Sequence, residues 1–110
     1  MSPCRPAVVA ALALLAAACA RSGREVILTE KAPPPIGPYS QAVRVGGTLW
    51  VSGQLGIDPE TRQLVVGGVG TQTQQAMANV EAILAAAGYS LADVVFVQLF
   101  LDDIDDYGAV

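Results

Sequence analysis

The sequence predicts an α+β fold in which a β-sheet is covered by a helix on one face. Three features support this prediction. A Gly-Gly pair at Gly46 and Gly47 separates two β-rich runs, apolar residues recur at helical spacing after Thr71, and residues 94–101 are almost continuously apolar. Their order along the chain is hairpin, helix, strand, and the 110 residues suffice for one small domain.

The first predicted elements are short strands around the Gly-Gly pair. Residues 40–45 and 48–52 are the two arms of the predicted hairpin, and residues 26–28 form a further strand candidate. Residues 32–35 read Ala-Pro-Pro-Pro and are predicted to be extended, because proline is excluded from a helix interior. The Asp-Pro-Glu-Thr segment at residues 58–61 predicts a turn.

The helix is the element with the clearest periodicity. Thr71 and Gln74 have the spacing of an N-terminal capping box, and Gly88 is placed as the C-terminal stop. One apolar face is predicted from Thr73, Met77, Val80, Ile83, Leu84 and Ala87, while Gln74, Gln75, Asn79 and Glu81 are predicted to lie away from it. A short further turn is predicted at residues 90–93.

Residues 94–101 are apolar at both alternating sets of positions. This pattern is typical of a strand whose two faces are both covered, so a central position in the sheet is predicted.

The first twenty residues have the composition of a signal peptide. Arg5 precedes a run of about a dozen apolar residues that ends in small residues, and the run is too short for a membrane span. Two forms of processing remain open: cleavage after Ala20, before Arg21, or a lipoprotein signal in which Cys19 is lipidated. We therefore predict a signal peptide over residues 1–20, a domain over residues 21–110, and an exported protein that is periplasmic or lipid-anchored.

Charge and composition exclude several classes of function. Six Lys and Arg residues stand against ten Asp and Glu, a formal net charge of −4, so no basic surface for nucleic acid is expected. The chain has no histidine, and both cysteines lie within the first nineteen residues. A Ser-His-Asp triad, a His or Cys zinc site and a thiol nucleophile are thereby excluded from residues 21–110.

Two further patterns are each consistent with a ligand-binding site or with a purely structural role. Residues 67–70 are glycine-rich and precede the helix, which suggests either a phosphate-binding loop or a simple connection. Four aspartates between residues 102 and 106 suggest either a calcium loop or a solvated turn, and their spacing does not supply the ligands of an EF-hand. No metal site is predicted.

A third candidate site lies around Ser52, Gly53 and Gln54, where a glycine interrupts a strand. Such a glycine often marks a bulge or a close approach of the backbone to a ligand. Backbone N–H groups at such a point can face a small anion or a carbonyl oxygen. The other polar residues near chain breakers are Tyr39, Ser40 and Gln41.

Four segments, taken together, resemble the RidA (YjgF/YER057c/UK114) family. They are Gly-Pro-Tyr-Ser-Gln-Ala at 37–42, Ser-Gly-Gln at 52–54 followed by Asp-Pro-Glu-Thr, the Thr-Gln-Gln-Ala-Met-Ala-Asn-Val-Glu-Ala-Ile-Leu stretch at 73–84 with Ala-Gly at 87–88, and Asp-Val-Val at 93–95. The resemblance extends over residues 28–110.

This resemblance implies a chorismate-mutase-like fold, a homotrimer with clefts between subunits, and hydrolysis of reactive imines and enamines without a cofactor. The implied substrates are 2-iminopropanoate and 2-iminobutanoate, and the products are 2-keto acids and ammonia. Matched by motif, Tyr39 and Ser52 are the predicted catalytic residues, and Tyr39, Ser52 and Gly53 the predicted substrate-binding residues.

The chain departs from the family pattern in two respects. Most relatives lack a signal peptide. The family pattern also continues beyond this chain with a helix and two strands. That part carries an Arg that binds the substrate carboxylate and a Glu that positions the attacking water. The sheet is therefore predicted to be incomplete at the C-terminus. This chain alone is expected to have little deaminase activity. The alternatives are an exported, non-catalytic ligand-binding or interaction module, and an inactive gene fragment.

Overall fold

A computed structural model describes residues 23–110. The predicted signal peptide, its cleavage sites and Cys19 lie outside these described residues. Within them, no helix is both long enough and apolar enough to cross a membrane.

The sheet consists of three antiparallel strands: β1 (Arg24–Ile27), β2 (Ala42–Val45) and β3 (Thr48–Val51), in the order β1-β2-β3. Val45 pairs with Thr48, so Gly46 and Gly47 form a two-residue hairpin turn, as predicted. Gly46 has φ of 60°, a left-handed conformation that glycine adopts without steric cost.

The helix, α1 (Gly68–Ala86), covers one face of this sheet. Its C-terminal stop is confirmed. Gly88 has φ of 80°, its N–H donates to Ala85 O, and the Tyr89 N–H donates to Leu84 O, which together form a Schellman motif. The turn after it is also confirmed, as a 3₁₀ helix over Leu91–Asp93.

The start of α1 differs from the predicted capping box. The helix begins at Gly68 with Gly67 as its N-cap, and no side chain caps it. Thr71 lies inside the first turn, and its hydroxyl donates to Gly67 O at 3.2 Å. Gly67 has φ of 130°, and a Cβ there would lie 2.7 Å from Thr71 Oγ1, so the glycine is required for this entry into the helix.

The core lies between α1 and the sheet. Its buried members are Ile27, Ala32, Ala42, Ile83 and Ala87, with Leu49, Val51, Ala82 and Tyr89 packed against them. The opposite face of the sheet carries the cross-strand row Val26, Val43 and Trp50, and Trp50 is 69% exposed. The predicted α+β architecture, with a helix on one sheet face, is therefore confirmed.

Residues 94–101 correct the prediction of a covered central strand. Among the described residues they form no strand, and Phe96 and Phe100 are 79% and 86% exposed. The apolar pattern indicates that burying these side chains would be favourable. A strand, however, also requires a neighbouring strand to accept its backbone hydrogen bonds. Residues 23–110 provide no such neighbour.

Candidate functional site

Tyr39 lies where two open clefts meet. The Tyr39–Ser52 cleft has a volume of about 540 Å³ and is lined by Arg24, Gly37, Pro38, Tyr39, Ser40, Val43, Trp50, Val51 and Ser52. The Pro33–Arg62 cleft has a volume of about 440 Å³ and is lined by Pro33, Pro34, Pro35, Ile36, Tyr39, Gln41, Gly53, Gln54, Leu55, Ile57 and Arg62. Both volumes lie in the range of small-molecule sites.

The three predicted site residues are therefore brought together around these clefts. Tyr39 lines both, Ser52 lines the first and Gly53 lines the second. Tyr39 is 48% exposed, and its hydroxyl accepts a 3.4 Å hydrogen bond from the Ile36 N–H. A phenolic hydroxyl in this position retains a donor for a bound molecule.

Ser52 joins the end of β3 to the segment before β2. Its N–H donates to Gln41 O at 3.0 Å, and its hydroxyl lies 2.9 Å from the carbonyl oxygens of both Ser40 and Gln41. Since the hydroxyl has a single proton, these two acceptors share it. The Ser52 side chain thus holds the wall next to Tyr39 in place.

Gly53 is open to solvent at the position where a side chain would begin. No atom lies within 4 Å of a Cβ built on it, so packing against residues 23–110 does not require glycine here. Its N–H donates to no acceptor within the described part of the chain. This combination leaves a backbone donor accessible to a ligand.

Gln41 anchors the proline-rich wall of the second cleft. The side chain is only 1% exposed, and its Oε1 accepts a 2.7 Å hydrogen bond from the Thr29 N–H. Its Nε2 lies 2.8 to 3.2 Å from the carbonyl oxygens of Thr29, Ala32 and Pro33. One buried amide therefore fixes the path of a segment whose prolines supply no backbone donors of their own.

Asn79 anchors the opposite wall and corrects the prediction that it lies away from the packed face of α1. It is 1% exposed, and its Nδ2 donates to Leu55 O at 3.1 Å and to Ile57 O at 2.8 Å. Its Oδ1 accepts from Gln75 Nε2 at 3.0 Å. Helical periodicity alone misses such a residue, because counting apolar positions assigns amides to the solvent face.

Gly56, which the sequence motifs did not single out, sets how closely this wall approaches α1. A Cβ on Gly56 would lie 2.6 Å from the backbone of Gln72. Glycine is therefore required for the close approach of the two backbones.

The arginines occupy different environments. Arg44 lies on the helix side of the sheet, where it donates to Glu25 at 2.9 Å and to Ala87 O at 3.1 Å. Its hydrogen bond to the Glu25 carboxylate raises the pKa of the guanidinium. Arg24 and Arg62, in contrast, line the first and second clefts respectively, and neither lining includes an acidic residue.

The glycine-rich and aspartate-rich segments have local roles. Residues 64–66 form only a single bridge, Ile57 with Leu64, so the strand that a phosphate-binding loop would follow is not present there. Asp103 Oδ1 accepts from the Asp105 N–H at 2.9 Å at the start of the 3₁₀ helix Ile104–Ala109. Residues 23–110 contain no cluster of three or more acidic residues placed to hold a metal ion.

Comparisons with known proteins agree with this fold and these motifs. A family model described as endoribonuclease L-PSP matches residues 29–110. A RutC family protein of Pyrococcus horikoshii is 52% identical over 84 residues, covering 76% of this chain and 67% of the relative. The 2-iminobutanoate/2-iminopropanoate deaminase of the goat, Capra hircus, is 52% identical over 87 residues, covering 79% of this chain and 64% of the relative.

Solved structures give the same result. RidA from an Antarctic Psychrobacter is 48% identical with a TM-score of 0.75, covering 77% of this chain and 68% of that one. The yjgF gene product of E. coli is 38% identical with a TM-score of 0.74, covering 77% and 66%. The chain spans about two thirds of the length of the curated relatives it matches. By sequence and by fold, the chain belongs to the RidA/YjgF family, whose family model is described as endoribonuclease L-PSP.

Proposed function

We propose that the complete protein hydrolyses 2-imino acids such as 2-iminopropanoate and 2-iminobutanoate to 2-keto acids and ammonia. The observation that carries this proposal is the identity of 51–52% with four mammalian proteins named 2-iminobutanoate/2-iminopropanoate deaminase. Tyr39, Ser52 and Gly53 also line clefts of a size suited to such small molecules.

The proposed reaction needs no oxidant or reductant. Water adds to the carbon of the C=N bond, and the resulting carbinolamine loses ammonia as its oxygen becomes the carbonyl of the keto acid. Because imines already hydrolyse in water, the contribution of the protein is chiefly to position the substrate and to assist proton transfer, the latter worth about 10²–10⁴-fold.

The geometry suggests a distinct role for each predicted residue. The Tyr39 hydroxyl is available as a proton donor to the imine nitrogen or to the departing ammonia. The Gly53 N–H is available to a substrate oxygen. The Ser52 hydroxyl hydrogen-bonds two backbone carbonyls, so its role in this proposal is to hold the wall rather than to attack the substrate.

We further propose that the complete protein is a homotrimer. We propose that residues 1–20 direct its export, and that Cys19 is the lipidation site if the signal is of the lipoprotein type. The uncovered face of the sheet supports self-association, because Val26, Val45 and Trp50 are 50–69% exposed on that face. A subunit packed there would also adjoin the Tyr39–Ser52 cleft, whose lining includes Val43 and Trp50.

A non-catalytic ligand-binding module is the second candidate. The observation that favours it is the absence of Asp or Glu from the linings of both clefts, so the described residues offer no carboxylate to activate water. An exported binding protein would need only Arg24 and Arg62 as cations, together with the apolar walls of the two clefts.

A coupled assay separates the two candidates. A pyridoxal-phosphate-dependent dehydratase generates the imine from serine or threonine, and semicarbazide competes for it as a trap. The complete protein is expected to increase keto acid formation and to reduce semicarbazone. Tyr39→Phe is expected to lower this rate by about 10²-fold, the lower end of what a proton-transfer group contributes.

Tyr107→Phe is the matched control, because Tyr107 is 69% exposed and lines neither cleft. It is expected to retain the wild-type rate. Semicarbazone formation unaffected by the wild-type protein would reject the deaminase proposal and favour the binding module.

A further inference from the structure

Gly53 carries the ligand-facing N–H of the proposed deaminase site, but contacts of its own do not hold it. The N–H groups of Gly53, Gln54 and Leu55 donate no backbone hydrogen bond within the described part of the chain. A Cβ built on Gly53 would meet no atom within 4 Å. The direction of this N–H is therefore set at the two ends of the segment. One end is Ser52, whose N–H donates to Gln41 O at 3.0 Å, and the other is the contact with α1.

Asn79 fixes the end of the segment that lies against α1. Its buried amide Nδ2 donates to Leu55 O at 3.1 Å and to Ile57 O at 2.8 Å. These two hydrogen bonds fall on either side of Gly56, where the backbones are so close that a Cβ would lie 2.6 Å from Gln72. The helix backbone thus approaches near enough for one short amide to hold two successive carbonyls of the wall.

Gln75 determines which way the Asn79 amide faces. It lies one turn earlier on α1, and its Nε2 donates to Asn79 Oδ1 at 3.0 Å. A side-chain amide has donors only on its nitrogen, so a hydrogen bond that occupies Oδ1 leaves Nδ2 directed at the carbonyls of the wall. In this orientation no buried side-chain polar atom among the described residues lacks a partner.

We propose that the Gln75–Asn79 pair is the positioning element of the deaminase site. It holds the wall so that the Gly53 N–H keeps the direction in which it meets a substrate oxygen. This inference rests on the proposed function, which assigns a substrate oxygen to Gly53. Neither member of the pair lines a cleft, so the pair acts through the wall and does not touch the substrate. A support mounted on a 19-residue helix has a rigidity that a loop lacks.

Asn79→Ala in the isotope-labelled complete protein is the first test. Keto acid formation in the dehydratase-coupled assay is expected to fall about 10-fold, less than the roughly 10²-fold cost of a 1 Å misplacement because Ser52 still holds the other end. The NMR order parameter of the Gly53 amide is expected to fall from the rigid range near about 0.85 to below about 0.6. Ile83→Val is the control, because Ile83 is fully buried on the same helix and lines neither cleft. It is expected to lower the melting temperature and to leave the rate and the order parameter unchanged.

Substitutions of Gln75 test the orientation of the amide. A carboxylate at this position accepts hydrogen bonds and donates none, so it draws Asn79 Nδ2 away from the carbonyls of Leu55 and Ile57. Gln75→Glu is therefore expected to lower the rate more than Gln75→Ala, although Glu is closer in shape to Gln. In an Asn79→Ala background neither change is expected to have a further effect, because the amide through which both act is gone.

Either an unchanged rate or an unchanged order parameter in folded Asn79→Ala would overturn the inference. Equal rates for Gln75→Glu and Gln75→Ala would overturn the orienting role of Gln75. Failure of the proposed function has a different signature, namely a wild-type protein that does not reduce semicarbazone formation. In that event the order parameter of Gly53, which needs no substrate, alone decides whether Asn79 fixes this segment.

Discussion

Replacing Gln41 by alanine is expected to reduce the free energy of unfolding by about 3 kcal/mol. The change leaves the Thr29 N–H and the carbonyls of Ala32 and Pro33 without the partner that now satisfies them, and each unsatisfied buried polar group costs about 1–3 kcal/mol. For a domain of this size such a loss lowers the melting temperature by roughly 15 °C. Urea unfolding and calorimetry of the complete protein measure both quantities.

Gln63→Ala is the control for this experiment. Gln63 is exposed, and its side chain forms no hydrogen bond within residues 23–110, so its replacement is expected to change the free energy of unfolding by no more than about 0.5 kcal/mol. Equal stability of the Gln41 and Gln63 variants would show that the proline-rich wall is held by something other than the Gln41 amide.

Gly53→Ala is expected to lower imine hydrolysis by about 10²-fold without loss of stability. The added methyl meets no protein atom within 4 Å, so folding is unaffected, whereas in the proposed mechanism it occupies the space above a ligand-facing N–H. Misplacement of a substrate by about 1 Å is sufficient for an effect of this size. Steady-state rates in the dehydratase-coupled assay and thermal unfolding of the same sample measure the two effects.

Substitutions at two other glycines serve as comparisons for Gly53→Ala. Gly47→Ala also adds a methyl in open space, in the hairpin turn, and is expected to change neither rate nor stability. Gly56→Ala forces a methyl to within 2.6 Å of the Gln72 backbone and is expected to reduce stability by about 1–3 kcal/mol. Full activity in Gly53→Ala would remove Gly53 from the proposed site.

The features that the sequence predicted correctly depend on local backbone chemistry. The Gly46–Gly47 hairpin and the Gly88 stop are confirmed because each requires a left-handed residue at one defined position. The Asp58 turn is confirmed in the same way, since the Asp58 carboxylate accepts hydrogen bonds from the N–H groups of Glu60 and Thr61.

The features that the sequence did not predict depend on contacts between segments that are distant along the chain. Asn79 is buried because carbonyls from residues more than twenty positions earlier accept its protons, which helical spacing does not encode. Residues 94–101 form no strand among the described residues, because their apolar pattern does not specify a pairing partner and residues 23–110 provide none. The motif-based prediction of Tyr39, Ser52 and Gly53 selected residues that line the clefts. Gln41 and Asn79 stand in the matched segments, but the motifs did not indicate that their amides anchor the two walls of the Pro33–Arg62 cleft.

The most direct test of the proposed site is a crystal structure of the complete protein soaked with 2-oxobutanoate, the keto acid product of 2-iminobutanoate hydrolysis. The proposal predicts the keto acid bound against Tyr39, with its oxygens within hydrogen-bond distance of the Gly53 N–H and with the Ser52 hydroxyl still joined to the carbonyls of Ser40 and Gln41. A keto acid bound elsewhere, with Tyr39 and Gly53 in contact only with solvent, would contradict it.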